Sequence, residues 1–266
     1  MSAPRVVTQP RGSPSLESRA RQSRGTSSQR IYEMVGRVLE RHAIAGGTFV
    51  DVGCGTGDLR RFLDNRFDRY VGVDAVRYDK LPEDLEFQAG DLDGDGELAP
   101  SAIADVVAAV ETIEHLENPR RLVRAMVRIA KPRGWVVVTT PNQLSWLSLA
   151  TLLAKQRFSA FQDAHYPAHI SALLEVDLLR IFAECGLQDI ETRFSEQGRI
   201  VFTARHYPRL LARLAPRRLS DNLLIIGRRP AQMRSVSSRE REAPALECSE
   251  GTEGPASCTV LPNEPR

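Results

Sequence analysis

The stretch Phe49 to Leu59, FVDVGCGTGDL, constrains this chain more than any other. Phe49, Val50 and Val52 form the short apolar run of a buried parallel strand, and glycines at 53, 55 and 57 follow as a loop opening a helix. Such a loop is a cradle, because residues without a Cβ let a ligand lie close to the backbone. The spacing also argues against one ligand. The diphosphate fingerprint GxGxxG needs a glycine where this chain has Asp58, so a carboxylate stands where a diphosphate would lie.

A chain of 266 residues, 42% of them hydrophobic, has room for one sizeable core with tails. Its 36 basic and 34 acidic residues leave a net charge of +2, which gives no global reason to bind nucleic acid. Cys54, Cys185, Cys248 and Cys258 show neither a CxxC pair nor zinc-ligand spacing, the pattern of a reduced, cytoplasmic protein. No run approaches the roughly 20 apolar residues that span a bilayer. Residues 1–29 and 230–266 carry too few large apolar groups to offset ordering entropy, so both are expected as disordered tails around one domain at 30–229.

Within that domain the apolar periodicity switches repeatedly between helix and strand. Ile31, Met34, Val35, Val38 and Leu39 predict a helix before the glycine stretch, and Leu59, Phe62 and Leu63 a crossover helix after it. Strands are expected at Tyr70 to Val73, Phe87 to Ala89, Asp105 to Val110 and Trp135 to Thr140. Between the last two, Asn118 as cap and Pro119 as first residue start a helix. Leu144 to Ala154 is apolar on every side and is expected as a helix covering a pocket, with interfacial anchoring to a membrane as the alternative. Glu175 to Glu184 is a further helix, and Ile190 to Phe194 with Leu223 to Ile226 a last, antiparallel pair. Arg205 to Arg218 is a basic amphipathic stretch, read as a solvated surface helix. Alternation of strands and helices with short turns predicts a doubly wound α/β fold with a Rossmann-like, mostly parallel sheet. Asp91, Asp93, Asp95 and Gly96 begin a calcium-loop pattern, but its twelfth position is Ala102 where a glutamate is required.

Six motifs fall in order along the chain: DVGCGTG, the acid of VGVDA, GDL, ETIEHLENP, IAKPRGWVVVTTPN and a later CGL. Together they resemble bacterial class I S-adenosylmethionine (SAM)-dependent methyltransferases of the ubiquinone-methylase-like kind. The resemblance implies a seven-stranded sheet with an antiparallel strand at one end, SAM as cofactor, and an acceptor the motifs do not name. Arg133 departs from it, standing where such proteins usually carry a second glycine. By this resemblance Asp51 meets the cofactor's ammonium group, while Gly53, Cys54, Gly55 and Gly57 leave room for its methionine part. Asp74, about 20 residues beyond Gly53 at a strand end, suits the ribose hydroxyls, with Ala75 beside it. Asp91 and Leu92 are implied for the adenine amino group and ring, and Glu111 for the sulfonium end.

Methyl transfer is a displacement at an already activated carbon, so the protein supplies alignment, desolvation and a base. Glu114 and His115 are the candidates for touching the acceptor, with His115 the base because an imidazole titrates near neutrality. His165 is a third candidate, on the segment after the fifth strand. The acceptor is read as an oxygen of a small molecule or of a lipid- or sugar-linked metabolite. No resident metal is expected, but one alternative has Glu111, Glu114, His115 and His169 hold one. Small-RNA ribose 2′-O-methyltransferases use a similar ExxEH with a later histidine to bind Mg²⁺ or Mn²⁺. A non-catalytic SAM-binding module and an NAD-dependent dehydrogenase are the alternatives from other classes.

Overall fold

Side chains of a strand alternate faces, so a continuous apolar strand serves two cores at once. The computed structural model, which describes residues 22–23, 25–63, 65–201 and 203–232, shows this division. Phe49, Val106, Ala108, Val137, Leu224 and Ile226 pack on one face of a single sheet, under Ile31, Val35, Val38 and Leu39 of helix α1 (Gln29–Arg41). Their neighbours Val50, Val52, Val107, Ala109, Val136, Val138, Leu223 and Ile225 pack on the other. There they meet α2 (Pro119–Ile129) and α4 (Glu175–Glu184).

The sheet comprises β1 (Thr48–Val52), β2 (Arg69–Asp74), β3 (Glu86–Ala89), β4 (Ala104–Val110), β5 (Ala130–Pro141), β6 (Gln188–Phe194) and β7 (Asn222–Arg228). Their order is β3-β2-β1-β4-β5-β7-β6. The pairings of β1 to β5 are parallel, and β7 runs antiparallel to both β5 and β6. The chain winds outward from β1 in one direction and from β4 in the other. The loops after β1 and β4 therefore part at the switch point, where open α/β sheets bind ligands.

Most of the expected elements are present, with informative differences. The crossover helix after the glycine loop is only a five-residue 3-10 turn, Asp58–Phe62, although Leu59 and Leu63 are buried as its apolar spacing requires. Asn118 caps α2, its side chain accepting from the Arg121 N–H at 3.1 Å. The apolar segment after β5 forms α3 (Trp146–Lys155), but Ser148 is its only buried residue, and Trp146 and Leu153 are 50% and 86% exposed. It lies on the surface, and no residue of it lines the cavity described below. No helix among the described residues is long and apolar enough to cross a membrane. The stretch 205–218 contributes a short surface helix, α5 (Arg209–Leu214). The tails at 1–21 and 233–266 lie outside the described residues. Residues 25–28, however, assigned to the first tail by composition, are packed on the glycine loop. The Gly25 carbonyl accepts from the Thr56 N–H at 2.8 Å, and Thr26 donates to Asp58. Composition misses this because the partners are mostly backbone groups, which every residue carries.

Arg133, the departure from the usual glycine, sits at φ +67° before the β5 segment that pairs with β7. A left-handed conformation costs a residue with a Cβ roughly 1–2 kcal/mol, of which glycine's extra chain entropy would return a part. Arg133→Gly is expected to raise stability by about 1 kcal/mol, read as a higher urea midpoint at unchanged slope. A lower midpoint would contradict it.

Candidate active site

The glycine loop is held open by contacts that leave no room for side chains. Gly53 lies at φ +78°, and a Cβ there would come within 2.3 Å of the Thr112 hydroxyl. One at Gly55 would come within 2.0 Å of the Gly25 carbonyl. The loop is fixed from the next strand, where Asp74 Oδ2 accepts from the Gly55 N–H at 2.9 Å and Oδ1 from the Ala75 N–H at 2.7 Å. Gly55 and Gly57 shape the loop without lining the cavity.

That cavity, about 590 Å³, opens at the switch point and falls in the range of small-molecule sites. Asp51, Gly53, Cys54, Asp74 and Ala75 border it on the β1–β2 side, with Leu92 from the loop after β3. Glu111, Glu114 and His115 border it from the turn after β4, and His165 and His169 from the segment after α3. Asp91 is not among the lining residues. Its carboxylate turns back to accept the Asp93 N–H at 2.9 Å, and Asp93 borders the cavity instead. A local Asx turn has captured the side chain that the motif's position points to.

Electrostatics restrict what enters. Five carboxylates, those of Asp51, Asp74, Asp93, Glu111 and Glu114, border the cavity, and no lysine or arginine lines it among the described residues. Asp51 is 2% exposed, and burial pushes it up to about 7, against the pull of the Tyr70 hydroxyl that donates to its Oδ2 at 2.6 Å. Its Oδ1 has no hydrogen-bond partner. Glu111 also rises to about 7 through burial, opposed by Thr139, which donates to Oε1 at 2.9 Å, and Asn222, which donates to Oε2 at 2.8 Å. Glu114 is wholly buried, and burial together with Glu111 holds it well above the usual carboxylate range. Buried acids with no basic side chain beside them in the cavity suit a cationic ligand and disfavour a diphosphate. SAM, with its sulfonium and ammonium, fits this donor set and NAD does not.

The acceptor candidates meet as imidazoles. His115 donates from Nδ1 to the Ala168 carbonyl at 2.9 Å, and burial keeps its pKa below the ordinary histidine value. His169 stands edge-on to His115 with ring centroids 4.7 Å apart, and burial with the neighbouring rings lowers it to about 4. His165 is exposed, and its Nδ1 accepts from the Gln162 N–H at 3.2 Å, so Nε2–H is left as a donor. The four-residue metal set is not brought together whole. Glu114, His115 and His169 converge, while both Glu111 oxygens are committed to Thr139 and Asn222. Thr139, Thr140, Tyr70 and Asn222 orient the acids but were not singled out in the sequence. Their signal was polar side chains, three hydroxyls and an amide, within apolar strands, visible only once the strand register is known.

A doubly wound sheet with an acid-lined cavity at its switch point is the class I SAM-dependent methyltransferase fold. Comparison agrees. A solved SAM-dependent methyltransferase from Archaeoglobus fulgidus superposes with a TM-score of 0.53 at 18% identity, over 74% of this chain and 94% of that one. A family model described as a methyltransferase domain matches residues 27–192, and the chain belongs to that family. Among curated relatives is a ubiquinone biosynthesis O-methyltransferase from Burkholderia pseudomallei (strain 1710b). It is 26% identical over 164 residues, 58% of this chain and 71% of that one. Another of the same name, from Albidiferax ferrireducens, is 34% identical over 111 residues, 38% and 43% of the two chains. This protein is a SAM-dependent methyltransferase.

Proposed function

We propose that the methyl group goes to an oxygen of a small molecule or of a lipid- or sugar-linked metabolite, in the cytoplasm. Free thiols at Cys54 and Cys185 are in keeping with that compartment. The observation that carries the oxygen reading is the His115 ring. A carbonyl can only accept, so the Ala168 contact puts a proton on Nδ1, and in the neutral ring, which also lies against the Glu111 backbone, Nε2 carries the lone pair. A buried, neutral imidazole is the form that takes a proton from a hydroxyl. The relatives named as O-methyltransferases support the same acceptor class.

In this reading Asp51 holds the ammonium of SAM, Asp74 its ribose hydroxyls, and Leu92 packs on its adenine. Ala75, Gly53 and Cys54 supply close walls, and Glu111 faces the sulfonium end. Bound there, SAM supplies a methyl carbon already activated by positive sulfur. Glu114 fixes the loop that carries the histidines, because its carbonyl accepts the N–H groups of Ile170 and Ser171, each at 3.0 Å. His165 borders the entrance as a hydrogen-bond donor to the acceptor. The test is transfer of radiolabelled methyl from SAM into fractionated cell extract, followed by identification of the labelled bond. An O-methyl product is expected, and an N- or C-methyl product would overturn the oxygen reading. SAM binding by calorimetry with no label in any fraction would favour a binding module without turnover.

A further inference from the structure

We infer that Glu114, His115 and His169 form a site for one divalent transition-metal ion inside the cavity. One ligand atom from each lies within 4.8 Å of the others. Bonds of about 2.0–2.2 Å to nitrogen and carboxylate oxygen would close that span with small side-chain rotations.

The bonding of each residue leaves one atom over. Glu114 Oε2 accepts from the Thr140 hydroxyl at 3.2 Å, while Oε1, fully buried, has no partner. His115 spends Nδ1 on the Ala168 carbonyl, which leaves Nε2 as the ligating atom. Metal-bound histidines characteristically donate their other N–H to a carbonyl in this way. His169 is held by the Ala160 carbonyl, and its Nδ1 is buried without a partner. Glu114 Oε1 and His169 Nδ1 are thus both buried without a partner, and an unmade buried hydrogen bond costs roughly 1–3 kcal/mol. A cation bound to both, and to His115 Nε2, satisfies them.

The donor set selects the ion. Two imidazoles and one carboxylate with open positions suit Zn²⁺, Mn²⁺ or Fe²⁺, whereas Mg²⁺ prefers an all-oxygen shell. The site keeps an oxygen acceptor and rests on the assignment of the cavity, but it gives His115 the place of a ligand in exchange for that of the base. An ion held there would polarise the acceptor hydroxyl and lower its pKa, so that the hydroxyl proton would pass to solvent. In the transfer the oxygen–carbon bond forms and the carbon–sulfur bond breaks. The electron pair of the broken bond stays on sulfur, which becomes a neutral thioether.

The experiment titrates chelator-stripped protein with Zn²⁺, Mn²⁺ and Mg²⁺ by calorimetry, alongside SAM in the same samples. Zn²⁺ and Mn²⁺ are expected to bind one per chain, and Mg²⁺ at least tenfold more weakly. His169→Ala and Glu114→Gln are expected to weaken Zn²⁺ about 100-fold or more. His206→Ala, an exposed histidine away from the cavity, should leave Zn²⁺ binding unchanged. Circular dichroism and SAM binding check that the variants fold. One-to-one Zn²⁺ binding that survives both ligand substitutions, or no stoichiometric binding while SAM still binds, overturns the metal site. Failure of SAM to bind wild-type protein would instead overturn the assignment of the cavity.

Discussion

Replacing Asp74 with alanine is expected to raise the dissociation constant for SAM about 100-fold or more. The carboxylate is 7% exposed and accepts two backbone N–H bonds, from Gly55 and from Ala75. Hydrogen bonds to a charged group are worth roughly 1.5–3 kcal/mol each, and about 2.7 kcal/mol is a factor of 100. The substitution removes two linked contributions. It frees the glycine loop from β2, so the Gly55 N–H is left buried and unpaired, and it deletes the proposed acceptor of the ribose hydroxyls. Asp74→Asn keeps one acceptor oxygen but turns an NH₂ group toward a donor, and should fall between alanine and wild type. Calorimetric titration gives the constants, and thermal melting without ligand shows whether loss of binding is loss of fold. A SAM affinity unchanged in folded Asp74→Ala would remove this residue from the site.

The legibility of Asp74 and the illegibility of its partners have one cause. Strand ends are marked by local apolar runs, so β1 to β5 could be placed from the sequence, Asp74 by its spacing from the glycines, and Asp51 and Glu111 by the family resemblance. Contacts that depend on register could not. Thr139 and Asn222 meet Glu111 because β4 pairs with β5 and β5 with β7, pairings that no local pattern states. Where local bonding competes with the family position, the local bond prevails, as when Asp91 folds back on the Asp93 N–H. The segment 25–28 is the opposite case. Its polar composition reads as unstructured, yet the glycine loop presents backbone groups that it satisfies.

SAM affinity is expected to rise with pH between 5.5 and 7, by about tenfold for each cavity carboxylate that must ionise. Asp51 and Glu111 each stand at about 7 without ligand, raised first by burial. A cation bound beside such a group stabilises its charged form, so binding drives off the proton it held. At pH 5.5 that proton must be removed against its pKa, and near pH 7 about half the groups are already charged. The window ends there because the cofactor's own α-amino group loses its charge near 7.7–8.0. The same groups act on stability with the opposite slope. Their folded pKa values lie above the unfolded carboxylate values near 4, so their contribution is full below about 4 and is lost as pH rises through about 7. Apo protein should therefore lose this contribution to its melting temperature across the interval in which SAM binding strengthens. Asp51→Asn, which cannot ionise, should lose about one tenfold step of the affinity slope. A pH-independent dissociation constant between 5.5 and 7 would show that these acids do not receive the cofactor's positive charges.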